Sequence, residues 1–126
     1  MAVKYTVIQK KNPIKPEQSK KWYATTKSAG DITLRSLSKE IAARSTVSPA
    51  DTQAVLIALT EVLVEYLADG KIARLGDFGT LHLNLSSEGA ETEDKFNASL
   101  IKGAKVIFRP GIDLREMLNN VTFEKA

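Results

Sequence analysis

The segment from Ser48 to Gly70 constrains the fold more than any other part of the chain. Ser48 and Pro49 predict the start of a helix, because the serine side chain can accept a hydrogen bond from the Asp51 backbone and proline needs no donor there. Asp69 and Gly70 predict the end of this helix. One short neighbouring helix cannot cover its broad apolar face, so the sequence predicts burial in a dimer. That face carries Val55, Leu56, Leu59, Val62, Leu63, Tyr66 and Leu67.

The segments around this helix predict a mixed α+β domain. Residues 34–44 predict a first helix and residues 112–120 a short final one. Strands are predicted at residues 3–9, 22–28, 72–76, 78–85 and 96–108, with a glycine turn at 76–79 and a polar, acidic loop or exposed arm at 86–95. The basic stretch between the first two strands contains two prolines and predicts a loop. The sequence leaves open whether these two strands pair as a hairpin or join the main sheet.

Composition excludes several classes of protein. The chain has 126 residues, no cysteine and a single histidine, His82, which strand alternation places on a solvated face. Nothing pairs a nucleophile with a base, so we expect no enzymatic activity, no cofactor, no metal and no small-molecule substrate. No apolar run approaches about 18 residues and the N-terminus lacks an apolar signal segment. We therefore expect a cytoplasmic protein that does not contact membranes.

Charge is distributed unevenly along the chain. Residues 1–39 carry nine lysines and arginines against two carboxylates, a net charge of +7, whereas the remainder carries nine against thirteen, a net charge of −4. A basic end on an acidic body indicates an anionic partner for that end. The alternative is that the basic segment is simply solvated.

Two motifs at a defined spacing resemble the bacterial histone-like HU/IHF family. The first runs from Asp69 through Leu75-Gly76-Asp77-Phe78-Gly79-Thr80-Leu81, and the second is Phe108-Arg109-Pro110-Gly111. The order of predicted elements from about Leu34 to Val121 is also that of the family. Residues 1–30 lie outside this resemblance, and such an extension is similar to that of an HU-related subgroup found in Bacteroides-type bacteria. The expected domains are therefore a basic β extension at 1–30 and an HU-like DNA-binding domain at 31–126.

The resemblance implies an IHF-like dimeric fold. This fold has a two-helix base, a three-stranded antiparallel sheet with a β-arm, and a short C-terminal helix, here with an N-terminal β-hairpin extension. It implies a nucleoid-associated homodimer that binds double-stranded DNA through the phosphate backbone on the minor-groove side, largely without reading sequence. In the family, a proline at each arm tip wedges between base steps. Residues 86–104 here contain neither proline nor arginine, and they carry four carboxylates and two lysines. We therefore expect DNA binding without the proline wedge.

The candidate DNA contacts lie in the basic N-terminal segment and on the expected sheet. They are Lys10, Lys11, Lys15, Lys20, Lys21, Lys71, Arg74, Lys102, Lys105 and Arg109. Of these, Lys71, Arg74 and Lys105 are predicted on strands, where alternation decides which face each side chain takes. Trp22 and Tyr23, beside the N-terminal lysines, either stack on bases or pack the hairpin. Leu59, Leu63, Phe78 and Phe108 are the candidate dimer core. The alternative function is a structural or protein-interaction dimer in which DNA binding is weak or lost.

Overall fold

A computed structural model of the protein describes residues 1–11, 14 and 20–126. The elements follow in chain order as β1 (Val3–Lys10), β2 (Lys21–Thr26), α1 (Leu34–Ala43), α2 (Pro49–Ala68), β3 (Ala73–Arg74), β4 (Gly79–Ser87), β5 (Ile101–Pro110), α3 (Ile112–Asn120) and β6 (Phe123–Lys125). Two 3-10 turns, Glu93–Lys95 and Ala98–Leu100, lie between β4 and β5. The chain divides into two compact units, one of residues Met1–Thr33 with Met117–Ala126 and the other of Leu34–Glu116.

The first unit contains a three-stranded sheet in the order β2-β1-β6. Strands β1 and β2 pair antiparallel from Tyr5 opposite Thr26 to Lys10 opposite Lys21, so the two strands form a hairpin and do not join the main sheet. Strand β6, which the sequence did not predict, pairs in parallel with β1. The Val3 backbone N–H donates to the Thr122 carbonyl at 2.8 Å, where this pairing begins.

Helices α1 and α2 of the second unit form as the local signals predict. The Ser48 hydroxyl accepts a hydrogen bond from the Asp51 backbone N–H at 3.1 Å, and Pro49 occupies the first turn. Gly70 follows the last turn with a φ of 82°, a conformation that glycine adopts without steric cost. The predicted start and end of the long helix are therefore confirmed.

Strands β3, β4 and β5 form the sheet of the second unit, in that order and antiparallel throughout. The bounds of these strands differ from the prediction, most of all at β3 and at the start of β5. Strand β3 holds only Ala73 and Arg74, so Lys71 precedes the strand and does not lie on it. Strand β5 begins at Ile101, whereas the sequence predicted a start at Phe96. The Asn97 side chain accepts a hydrogen bond from the Ser99 backbone N–H and favours a 3-10 turn there.

The single chain buries little apolar surface. In the described part of the chain, Leu67 is the one hydrophobic residue classed as buried, at 8% exposure. Of the candidate dimer-core residues, Leu63 is half-buried, whereas Leu59, Phe78 and Phe108 are exposed in the single chain. Helix α2 exposes large apolar side chains along its length, among them Val55, Ile57, Val62 and Val64. Exposed apolar side chains in such number are typical of a protein–protein interaction surface.

Candidate nucleic-acid interface

The pairing of β4 with β5 gives the sheet β3-β4-β5 two different faces. Leu81 lies opposite Phe108, and Leu83 lies opposite Val106. Because directly opposed residues of an antiparallel pair share a face, these four side chains form an apolar face. The residues between them, including Thr80, His82 and Asn84 on β4, lie on the other face, which is mostly polar. The alternation of hydrophobic and polar residues in the sequence thus separates an apolar face from a mostly polar one.

Three of the predicted DNA contacts lie together on this polar face. Arg74 pairs with Thr80, and Thr80 pairs with Arg109, so the two arginines flank one threonine in a row across three strands. Lys105 pairs with Asn84 on the same face, four residues along β5 from Arg109. All three basic side chains are exposed. We call Arg74, Lys105 and Arg109 the basic sheet face.

The two motifs that carried the family resemblance contact each other and position Arg109. The Leu75 backbone N–H donates to the Gly79 carbonyl at 2.8 Å and closes the turn. The Gly111 backbone N–H then donates to the Phe78 carbonyl at 2.9 Å. The Phe78 and Phe108 rings lie 5.3 Å apart between their centroids, tilted by 47°. Gly111 lies so close to the turn that a Cβ there would overlap the Asp77 carbonyl.

Two other predicted contacts are engaged with nearby carboxylates. The Lys71 ammonium lies 3.8 Å from the Asp69 carboxylate and 5.0 Å from the centroid of the Tyr66 ring. The Lys102 ammonium lies 3.7 Å from Glu88, at the base of the arm. Both ion pairs are solvent-exposed, so each is weak and a phosphate can compete with it.

The segment between β4 and β5 is acidic, as the sequence indicates. Residues 88–100 contain four carboxylates and one lysine, and that lysine, Lys95, pairs with Glu91 at 3.4 Å. The Glu88 backbone N–H donates to the Leu100 carbonyl at 2.8 Å, which closes the base of this arm. An arm of this charge repels phosphate.

The N-terminal lysines lie on and beside the hairpin. Lys10 and Lys21 are directly opposite each other at the end of the β1–β2 pair, and Lys11 and Lys20 follow and precede the strands. Lys15 lies outside the described residues. Two further lysines of the hairpin, Lys4 and Lys27, are not among the predicted contacts. Strand alternation from Lys10 back along β1 is enough to place Lys4 on the same face. The position of Lys27 can be predicted only when the register of the hairpin is known.

The comparison with protein families matches nearly the whole chain. Residues 1–125 match the model of HU-HIG, described as "HU domain fused to wHTH, Ig, or Glycine-rich motif". The chain belongs to the HU-HIG family. The predicted kinship with HU proteins is confirmed, and the matched region includes residues 1–30, which the HU/IHF resemblance had left out.

A solved structure of a longer chain contains a similar fold. The HU-HIG chain is similar to the crystal structure of a "Putative bacterial DNA binding protein" from Bacteroides vulgatus, with a TM-score of 0.66 and 14% sequence identity. The match covers 98% of this chain and 47% of that one, so the chain spans about half the length of its structural relative. No curated protein matches the sequence.

His82 is the single histidine of this HU-HIG chain. His82 is half-buried and lies beside Leu67 and Leu83 in a hollow at the end of α2, so it is less solvated than the sequence predicted. Within the described residues, no three histidine or carboxylate side chains gather as a metal site would require. No helix in that same part of the chain is long and apolar enough to cross a membrane.

Proposed function

We propose that this HU-HIG protein is a histone-like, largely sequence-independent binder of double-stranded DNA, acting as a nucleoid-associated homodimer in the cytoplasm. The observation that carries the proposal is the basic sheet face, where alternation and register bring the exposed side chains Arg74, Lys105 and Arg109 to one mostly polar face. Basic groups of this kind contact phosphates without reading bases. The proposed role is architectural and needs neither catalysis nor a cofactor.

The exposed apolar surface supports the homodimer. Helix α2 exposes Ile57, Leu59 and Val62, and the apolar sheet face exposes Val106 and Phe108. Isolated soluble domains rarely expose so many large apolar side chains in contiguous elements. A second copy would cover these surfaces with an equivalent set, as a two-fold interface requires. Leu59, Leu63, Phe78 and Phe108 are the proposed dimer core.

We assign the DNA contacts to the basic sheet face and the hairpin lysines, on the minor-groove side of the duplex, and not to the arm. The arm lacks the proline that would wedge between base steps, and its carboxylates oppose phosphate. Lys71 and Lys102 are secondary candidates because each already lies beside a carboxylate. Bound DNA is therefore expected to bend less than DNA that is kinked by a wedge.

A second candidate function rests on the same acidic arm. If the arm binds a basic partner protein, the HU-HIG chain is a protein-interaction dimer in which DNA binding is weak. The arm carries four carboxylates and a single lysine, Lys95, which pairs with Glu91. This excess of negative charge favours the binding of a basic protein. This second function predicts that duplex affinity is negligible even at low salt.

A fluorescence titration of labelled duplex DNA at several salt concentrations tests the proposal. Each phosphate contact contributes about 0.9 to the slope of log affinity against log salt. In a homodimer the variant Arg74→Gln/Arg109→Gln removes four arginines, so the slope is expected to fall by up to about 3.6. The control is Arg35→Gln on α1, which leaves the sheet intact. Absence of duplex binding at low salt, or a slope that the double variant leaves unchanged, would contradict the proposal.

A further inference from the structure

The hairpin places its lysines in two like-charged pairs on one face. Lys10 and Lys21 are directly opposed in the register of β1 with β2. The Lys27 backbone N–H donates to the Lys4 carbonyl at 2.8 Å, which continues that register and sets Lys27 opposite Lys4. Lys4 and Lys10 are six residues apart on β1, so strand alternation gives them the same face. We call these four exposed residues, with Tyr23 between them, the hairpin lysine face.

These pairs lower the stability of the hairpin when the protein is free. Like charges directly opposite each other on neighbouring strands repel, whereas opposite charges would stabilise the same positions. Among the described strand residues, Glu124 of β6, opposite Lys4, is the one carboxylate that the pairing brings to this face. The face therefore keeps a net positive charge, and an anion lying across it would relieve the repulsion.

An aromatic ring lies between the two lysine pairs. Tyr23 is opposite Ile8 in the register and is 46% exposed, so its ring is accessible to a ligand. Six residues of extended strand separate Lys4 from Lys10, a span of about 20 Å. Trp22 is opposite Gln9, so alternation places the tryptophan on the other face of the same strand. The sequence neighbours Trp22 and Tyr23 thus have different surroundings.

We propose that the hairpin lysine face binds a single-stranded segment of nucleic acid, with Tyr23 stacking on an unpaired base and the lysine pairs holding phosphates at either end. A duplex keeps the faces of its bases inside the stack, so it offers nothing for an exposed ring to stack on. Single strands offer both a flexible backbone and free base faces, and basic grooves with aromatic rings bind them without sequence preference. This inference rests on the proposed nucleic-acid-binding role and adds a second kind of ligand to it.

The first test compares the two neighbouring aromatic residues by fluorescence anisotropy with a labelled oligothymidylate, and in parallel with an oligouridylate. Tyr23→Leu keeps an apolar side chain against Ile8 but removes the ring, so affinity for the single strand is expected to fall at least about fivefold. Trp22→Leu, on the opposite face, is expected to leave affinity unchanged. Circular dichroism establishes that both variants remain folded. Equal affinities for the two variants, or absence of binding to either oligonucleotide, would overturn the inference.

The second test removes one lysine pair. Lys10→Gln/Lys21→Gln is expected to lower the salt slope for the oligothymidylate by about 1.4 for each hairpin, since each contact with a single strand contributes about 0.7. Lys125→Gln is the control, because Lys125 lies opposite Tyr5 on the other face of the same sheet. An unchanged slope in the double variant would overturn the inference.

A parallel titration separates this inference from the proposed function. Arg74→Gln/Arg109→Gln is expected to weaken duplex binding while leaving oligothymidylate binding unchanged. If duplex DNA binds and the single strand does not, this inference alone fails. If neither binds at low salt, the proposed function fails with it.

Discussion

Replacing Gly79 by alanine tests the contact that positions Arg109. Gly79 has a φ of 151°, a region that residues with a side chain rarely adopt. A Cβ there would lie 2.5 Å from the Arg109 carbonyl oxygen and 2.6 Å from the Phe108 ring. Backbone strain of this kind costs about 1–3 kcal/mol. Because the Arg109 carbonyl belongs to a paired strand and cannot move freely, we expect Gly79→Ala to lower the free energy of unfolding by at least about 2 kcal/mol.

Chemical denaturation at one fixed protein concentration measures this change, because the midpoint of the proposed dimer would depend on concentration. Gly103→Ala is the matched control. Gly103 lies in the same sheet, with open space around its missing Cβ. Alanine there is expected to be neutral or stabilising by up to about 1 kcal/mol. If Gly79→Ala and Gly103→Ala unfold at the same midpoint, the turn does not pack against β5 and does not position Arg109.

Three further predictions concern the long helix, the dimer and the arm. Ser48→Ala removes the cap on Asp51 and is expected to destabilise the protein by about 1 kcal/mol by denaturation, whereas Ser48→Thr keeps most of that stability. Leu59→Glu places a charge in the proposed dimer core, so sedimentation velocity should show loss of the dimer, and an unchanged dimer would remove Leu59 from the interface. Glu93→Lys reverses a charge on the arm and is expected to tighten duplex binding at low salt; unchanged affinity would place the arm away from DNA.

The helices and the turn could be predicted because their signals are local. Ser48 and Pro49 mark the start of α2 within two residues, and Gly70 marks its end just after the last turn. The final helix was predicted at residues 112–120, and it has those bounds. The alternation along β4 likewise separates Leu81 and Leu83 from Thr80 and His82 without any knowledge of the partner strand. Each of these features depends on residues that are adjacent or nearly adjacent in the chain.

The features that the sequence did not predict depend on partners far along the chain. Strand β6 has only three residues, and its partner β1 lies at the other end of the chain, so no local pattern indicates it. The strand predicted at residues 96–108 exists, but its predicted start at Phe96 was wrong, because the Asn97 side chain bonds to the backbone two residues on and favours a turn there. The pairing of Lys27 with Lys4 likewise exists only through the register of the hairpin.

The place of β1 in its sheet also decides how the N-terminal segment can be tested. Deleting residues 1–28 would remove the lysines, but it would also remove the strand on which β6 pairs. Loss of binding by such a truncated protein would therefore not distinguish the effect of the missing lysines from the effect of a disrupted sheet. Alternation offers a cleaner separation, because Lys10 and Lys21 share one face of the sheet while Tyr5 and Lys125 share the other. Substitutions confined to one face change its charge and leave the backbone pairing intact, so only they can assign binding to the hairpin.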